Sequence, residues 1–360
     1  MRFKCRDGRG APRADRLVGE VPRHPLTGFA ARLASRVCGV TVLYLGVVGD
    51  IMILVTGAGG LIGRSLCKEL RARQIAVREF DLGISPDQDT RNPAVVDAAL
   101  DGVEGVVHLA AVSRVVWAQR DPELTQAVNV DALHSLLSAF AGRKKSPWLV
   151  FASSREVYGE PHSLPVTEDA SLAPLNVYAR SKVAGEDLIN AARNDDIRAN
   201  IVRFSNVYGC AQDHKDRLVP AFARAAALGG TLRLEGSENM FDLTHVDDVV
   251  RGLVTHVEAT AAGEILPPIH FVSGIGTTLH NLANIAARTS QQPLSLEIEA
   301  SRDYDVGRFV GDPGRARALL GWEAKIDIQR GFEMLTEAFR NRVRAAATPA
   351  GNMPGAAVYA

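Results

Sequence analysis

The segment Gly57-Ala58-Gly59-Gly60-Leu61-Ile62-Gly63 stands directly behind the apolar run Ile53 to Thr56 and directly ahead of a helical repeat. A strand that turns on glycine into a helix is the context in which a dinucleotide pyrophosphate is received. Gly57 permits the tight turn, Gly60 lets the backbone approach a pyrophosphate at the positive helix end, and Gly63 lets the helix pack closely on the strand. The competing reading is an ordinary glycine-rich turn, which the flanking strand and helix argue against. Asp81 ends the next predicted strand, within about 20 residues of the glycines, where a carboxylate accepts hydrogen bonds from adenosine ribose hydroxyls and repels a 2′-phosphate. The expected cofactor is therefore NAD rather than NADP.

Beyond this segment, short β-branched runs alternate with helical stretches. Strands are predicted at 51–56, 75–80, 105–109, 148–152, 198–203 and 269–272, and helices at 61–73, 122–141, 177–193 and 247–258. The alternation predicts an α/β fold, a Rossmann-type doubly wound parallel sheet with a smaller mixed α/β C-terminal cap that binds substrate. The expected division is 51–205 plus 242–272 for the nucleotide-binding domain and 206–241 plus 273–344 for the cap. Residues 1–50, with arginines dispersed among prolines and glycines, read as a disordered leader or a mis-assigned start, with Met52 as the natural first residue. The Ala, Pro and Gly-rich stretch 345–360 reads as a disordered tail.

Charge narrows the partners. Across 360 residues, 41 basic side chains balance 41 acidic ones, so no general attraction to nucleic acid or anionic lipid is expected. The apolar run Val37 to Gly49 is well short of the roughly 20 residues that span a bilayer. Cys5, Cys38, Cys67 and Cys210 lie far apart without a CxxC pair, so neither a disulfide framework nor a zinc site is indicated, and a reducing cytoplasm fits.

Tyr178-Ala179-Arg180-Ser181-Lys182 opens a predicted helix, and a spacing of four places phenol and ammonium on one face. The expectation is that Lys182 and a bound nicotinamide cation lower the phenol pKa, so that Tyr178 takes a hydroxyl proton as hydride leaves the same carbon. Alone, such a pair is usually an exposed helix pair; its position after the glycine segment is what singles it out. The fourth strand ends in Ser153-Ser154-Arg155-Glu156, at the carboxyl edge where such sheets bind ligands. Ser154 is the candidate for hydrogen bonding a substrate hydroxyl, against the plainer reading that these residues satisfy a turn.

With these residues in view, the chain resembles extended short-chain dehydrogenases/reductases of the NAD-dependent epimerase/dehydratase family, which act on nucleotide sugars. The resemblance covers most of 52–344. It rests on Gly57 to Gly63, Val107 to Ala111, Asp121-Pro122 with Asn129, Ser153 to Gly159, Tyr178 to Lys182, Arg203 to Gly209, His245 to Asp248 and Leu319 to Trp322. It implies that Tyr178 is the acid/base, that Lys182 holds the nicotinamide ribose, and that Ser154 binds the reacting hydroxyl. Leu61, Ile62, Leu109, Ala110 and Ala111 would line the cofactor, while Asn206 and Arg302 would contact the substrate diphosphate. Glu156 matches the proton-abstracting glutamate of the family's 4,6-dehydratases. Arg155, however, stands where those enzymes carry an aspartate and cannot donate a proton to a leaving hydroxyl. Phe241 stands where members often carry a nucleotide-binding arginine. The resemblance implies a C4 epimerase working through a transient 4-keto sugar, as a homodimer. The alternatives are a nucleotide-sugar decarboxylase or 4,6-dehydratase, and, from a different class, a noncatalytic NAD-binding scaffold or sensor.

Overall fold

Alternate side chains of each central strand are buried on opposite faces, and this is what layers the molecule. In this computed structural model the described residues are 33–37, 40–44, 51–214, 217–299 and 306–347. Arg302 and most of the expected leader and tail lie outside them. The chain divides into two units, Met1–Gly49 and Asp50–Ala360. In the first, β1 (Leu33–Val37) and β2 (Val40–Tyr44) form an antiparallel pair.

The second unit begins β3 (Met52–Thr56), α1 (Leu61–Ala72), β4 (Ala76–Phe80), α2 (Pro93–Ala99) and β5 (Gly105–His108). It continues α3 (Val115–Arg120), α4 (Pro122–Gln126), α5 (Ala132–Ala141), β6 (Trp148–Ser154), α6 (Val177–Asn194) and β7 (Ala199–Phe204). Then come β8 (Asn206–Tyr208), α7 (Leu218–Leu228), β9 (Gly230–Glu235), β10 (Met240–His245), α8 (Val246–Ala261) and β11 (Ile269–Phe271). The last elements are β12 (Gly276–Thr278), α9 (Leu279–Thr289), β13 (Leu294–Glu299), β14 (Arg308–Phe309), α10 (Gly314–Leu320) and α11 (Ile328–Ala347).

The six predicted strands are the six strands of one parallel sheet, in the order β11-β7-β6-β5-β3-β4. Ile53, Val55, Val107 and Val150 pack with Leu66 and Leu70 of α1 and Val249 and Leu253 of α8. Leu54, Val106, Leu149 and Phe151 face the other way, against Val96, Leu133, Leu136 and Ile189. Both faces are thus covered, and the strands read as continuous apolar runs for that reason. Strand addition reverses between β3 and β5, so a crevice opens at their carboxyl ends, the place such sheets offer a ligand. No helix among the described residues is long and apolar enough to cross a membrane.

The helix predicted over 122–141 is broken. Asp121 caps α4 through Leu124 N at 2.9 Å with Pro122 at the first helical position, and Ala127–Asp131 then forms a π-helical turn before α5. The widened turn buries Asn129, whose amide accepts from Val112 N at 2.7 Å and donates to Ser181 Oγ at 2.9 Å. Asn129 thereby ties the segment after β5 to α6.

Beyond the parallel sheet, β10 pairs with β8, β12 and β14, and β9 pairs with β13. Over them lies an apolar cluster including Val219, Phe222, Leu243, Leu282 and Phe332. Two motifs quoted above meet here as structural ties: Trp322 Nε1 donates to the Asp248 carbonyl at 2.9 Å, and the Asp248 carboxylate accepts from Lys325 N and Ile326 N.

Candidate active site

A cleft of about 500 Å³ opens at the carboxyl edge of the parallel sheet. Its floor is the glycine turn. Gly57 has φ +71°, and a Cβ there would stand 2.6 Å from Ala110 N; a Cβ on Gly63 would stand 2.1 Å from the Gly57 carbonyl oxygen. Gly60 occupies the cap position of α1, with no side-chain cap. The first-turn N–H groups of Leu61 and Ile62 therefore face the cleft with no intrahelical acceptor, a ready site for a phosphate. These features fit a dinucleotide: a bare-backbone cradle leading into an uncapped helix end.

Gly57, Gly60, Leu61, Ile62, Gly63, Leu109 and Ala111 all line the cleft. Ala110 lies beneath it, its N–H donating to Thr56 Oγ1 at 3.3 Å. Asp81 sits beside the glycine turn, Oδ2 accepting from Gly59 N at 3.1 Å and Oδ1 from Gly83 N at 2.6 Å. A carboxylate fixed in this way keeps lone pairs for ribose hydroxyls, and its charge repels a 2′-phosphate. Asp81→Asn is expected to narrow the preference for NAD over NADP about tenfold, the size of one lost charge-assisted contact. Fluorescence titration with both cofactors checks this, and an unchanged ratio would remove Asp81 from the recognition.

The strand end and helix start bring Ser154, Tyr178 and Lys182 to the same cleft. Ser154 Oγ accepts from Glu156 N at 3.2 Å, which leaves its own proton to donate, and it lies in hydrogen-bond reach of the Tyr178 phenol. Lys182 is buried, and its ammonium donates to the Ala152 carbonyl at 2.8 Å. It lies 5.8 Å from the Tyr178 ring centroid.

The ionisation expected of Tyr178 is opposed by its burial. Burial pushes the Tyr178 phenol up to about 12, only partly offset by Ser154, while Glu156 adds to the rise and Arg217 and Arg155 oppose it. The Lys182 ammonium is turned to the backbone carbonyl of β6 and not to the phenol. By its own residues the chain therefore holds Tyr178 as a neutral phenol at neutral pH.

Glu156, expected among the catalytic residues, is held by two partners. It does line the cleft, but one carboxylate oxygen is paired to Arg155 Nη2 at 2.8 Å and the other accepts from Asn176 Nδ2 at 3.1 Å. Asn176 in turn caps α6 through Ala179 N at 2.8 Å. Glu156 thus anchors the start of the helix that carries Tyr178, and as placed it is not a free base.

Asn206 also lines the cleft. Sequence reasoning missed Arg217, at the start of α7, which lines the cleft and faces the Tyr178 phenol closely enough to favour its ionisation. No spacing pattern marks it; its placement depends on how α7 packs. Also missed was the support behind the site, where Glu186 accepts from Ser153 Oγ at 2.5 Å and pairs with Arg203 at 2.5 Å.

Comparison with known proteins agrees with this geometry. The model of the NAD dependent epimerase/dehydratase family matches residues 53–271. A UDP-glucose 4-epimerase of Mycolicibacterium smegmatis is 32% identical over 315 residues, covering 80% of this chain and 98% of that protein. UDP-glucuronic acid decarboxylase 2 of Arabidopsis thaliana is 26% identical over 313 residues, covering 81% of this chain and 68% of that one. Among solved structures, MoeE5 in complex with UDP-glucose and NAD superposes with a TM-score of 0.73 at 28% identity, covering 82% of this chain and 100% of that one.

Proposed function

Since this chain belongs to the NAD-dependent epimerase/dehydratase family, we propose that it epimerises a nucleotide sugar at C4, with the nucleoside diphosphate hexose oriented by Asn206 and Arg302. NAD is the cofactor of this family, and the cradle of Gly57, Gly60 and Gly63 with Asp81 would hold it. When bound, its oxidised nicotinamide supplies an acceptor for the electron pair of the sugar carbon and a positive charge that favours phenolate.

The observation that carries the reading is the joint placement of the Ser154 hydroxyl and the Tyr178 phenol in one cleft, with Lys182 one helical turn on. Ser154 would orient the reacting hydroxyl, and Tyr178 would take its proton and return it from the same oxygen. Among the described residues of the Ser154–Glu156 strand end no acid is placed to expel a neighbouring hydroxyl, because Arg155 is a cation and Glu156 is engaged on both oxygens. Elimination of water is therefore disfavoured, while oxidation and return at one carbon need nothing further.

The Arabidopsis relative, whose name describes decarboxylation of UDP-glucuronic acid, supports a second reading. Oxidation at C4 of a uronic acid creates a β-keto acid, which loses carbon dioxide without an added acid. Incubation with a panel of nucleotide sugars decides between them by product mass and NMR. An epimer is isobaric with its substrate, a decarboxylated product lacks carbon dioxide, and no conversion of any member would end both readings. Residues 206–241 and 273–344 act as a substrate cap in this reading, and the working form is a cytoplasmic homodimer joined through α6 and its neighbour. Light scattering on the purified protein checks the dimer.

A further inference from the structure

Arg155 is a cation buried at the edge of the cleft, with 8% of its side chain exposed. Its guanidinium stands 5.0 Å from the Phe241 ring centroid and 5.7 Å from that of Phe309, is paired to Glu156, and leaves Nη1 buried without a hydrogen-bond partner. A buried pair with a leftover donor is poor evidence for a stabilising device, since apolar residues of similar volume often serve stability as well or better. The fourth contact supplies another reason. Arg155 Nε donates to Asn206 Oδ1 at 2.9 Å.

Arginine can only donate, so the Asn206 side-chain oxygen must face it and the amide nitrogen must face away. Asn206 is half-buried and lines the cleft, and among the described residues its Nδ2 has no hydrogen-bond acceptor. Turned the other way, the amide would present an oxygen to the cleft, and an incoming phosphate would meet repulsion instead of two donors. Two aromatic faces and the Glu156 carboxylate fix the guanidinium in place, and the guanidinium fixes the amide.

We propose that Arg155 is a positioning residue for substrate: by holding Asn206 Oδ1 it keeps the amide N–H₂ directed into the cleft, where it takes a phosphate oxygen of a nucleoside diphosphate. This rests on the nucleotide-sugar reading above. The same tripeptide then serves three partners, with Ser154 at the reacting hydroxyl, Arg155 setting the phosphate donor, and Glu156 anchoring the helix of Tyr178.

The probe is UDP, with affinity read by calorimetry on NAD-loaded protein. Because Arg155→Met alone would strand the Glu156 carboxylate, the reference is Glu156→Gln, and Arg155→Met is added to it. The added change is expected to weaken UDP binding about tenfold, one charge-oriented hydrogen bond. In turnover, KM should rise by a similar factor with kcat within about threefold, a split that loss of packing alone would not produce. In the same Glu156→Gln reference, Asn206→Ala should weaken UDP binding to the same degree, and adding Arg155→Met to that pair should weaken it no further. Equal UDP affinity with and without Arg155, or additive losses at the two positions, overturns the proposal. Wild-type protein that binds no UDP overturns both this proposal and the function it rests on. Wild-type protein that binds UDP but converts no nucleotide sugar, with Arg155→Met acting as stated in the Glu156→Gln reference, overturns the function alone.

Discussion

Tyr178→Phe is expected to lower kcat by about a thousandfold, within the usual range for removal of a positioned acid/base, while leaving fold and NAD affinity in place. Of Ser154, Glu156, Tyr178 and Lys182, which line the cleft together, the phenol hydroxyl is the group placed both to take and to return the proton of a sugar hydroxyl. Ser154 Oγ accepts from Glu156 N and an alkyl hydroxyl is too weak a base to hold the sugar's proton, Lys182 is turned to the Ala152 carbonyl, and Glu156 is engaged on both oxygens. Phenylalanine keeps the ring and its packing, so the loss in stability should be about 1 kcal/mol, that of one hydrogen bond. Product NMR over long incubations, circular dichroism and an NAD titration measure the three quantities. Turnover at a wild-type rate would exclude the phenol as the proton carrier.

The parts of this architecture legible in the sequence are those set by local periodicity and backbone demand. The six strands were legible because both sheet faces are covered, which forces continuous apolar runs such as Gly105 to His108. Gly57 and Gly63 were legible because part of their reason is local, the positive φ of the turn at Gly57 and the close approach of Gly63 to the Gly57 carbonyl, although the backbone at Leu109 and Ala110 that also crowds Gly57 was not. What depends on tertiary approach was not legible. The π-helical turn at Ala127–Asp131 serves the bond from Asn129 to Ser181, 52 residues on. Arg155 reaches Asn206 across 51 residues, and the ionisation of Tyr178 depends on how deeply α6 packs. Helical spacing did place Lys182 on the face of Tyr178; it could not reveal that the Ala152 carbonyl, at the end of a neighbouring strand, claims the ammonium.

That claim gives Lys182 opposite effects on stability and rate. The ammonium is buried against the Phe151 ring, 5.0 Å from its centroid, and burial lowers its pKa to about 8, with Glu186 one turn on partly offsetting the cost. Glu186 is itself committed to Ser153 and Arg203, so it supports Lys182 through space and not by a direct bond. His108 is held neutral with its pKa lowered to about 3 by burial and further by the Lys182 charge. Because the folded pKa lies below the unfolded value of 10.5, the unfolded chain binds more protons between about pH 8 and 10.5, and stability rises with pH across that window. Below pH 8 the full burial cost is present, about 3 kcal/mol at 1.36 kcal/mol per pH unit. Urea unfolding of the protein at pH 7.5 and pH 9.5, pH values chosen on either side of about 8, should therefore show this contribution in the wild type and its absence in Lys182→Met. The same substitution should lower kcat about a hundredfold or more, the usual loss when one preorganised cationic or hydrogen-bonding group is removed from a reaction centre. Wild-type activity should fall above about pH 8, as the ammonium gives up its proton. A rate that stays level to pH 9.5, about a unit and a half above that value, together with equal pH slopes of stability in the two proteins, would show that the charge on Lys182 serves neither the fold nor the reaction.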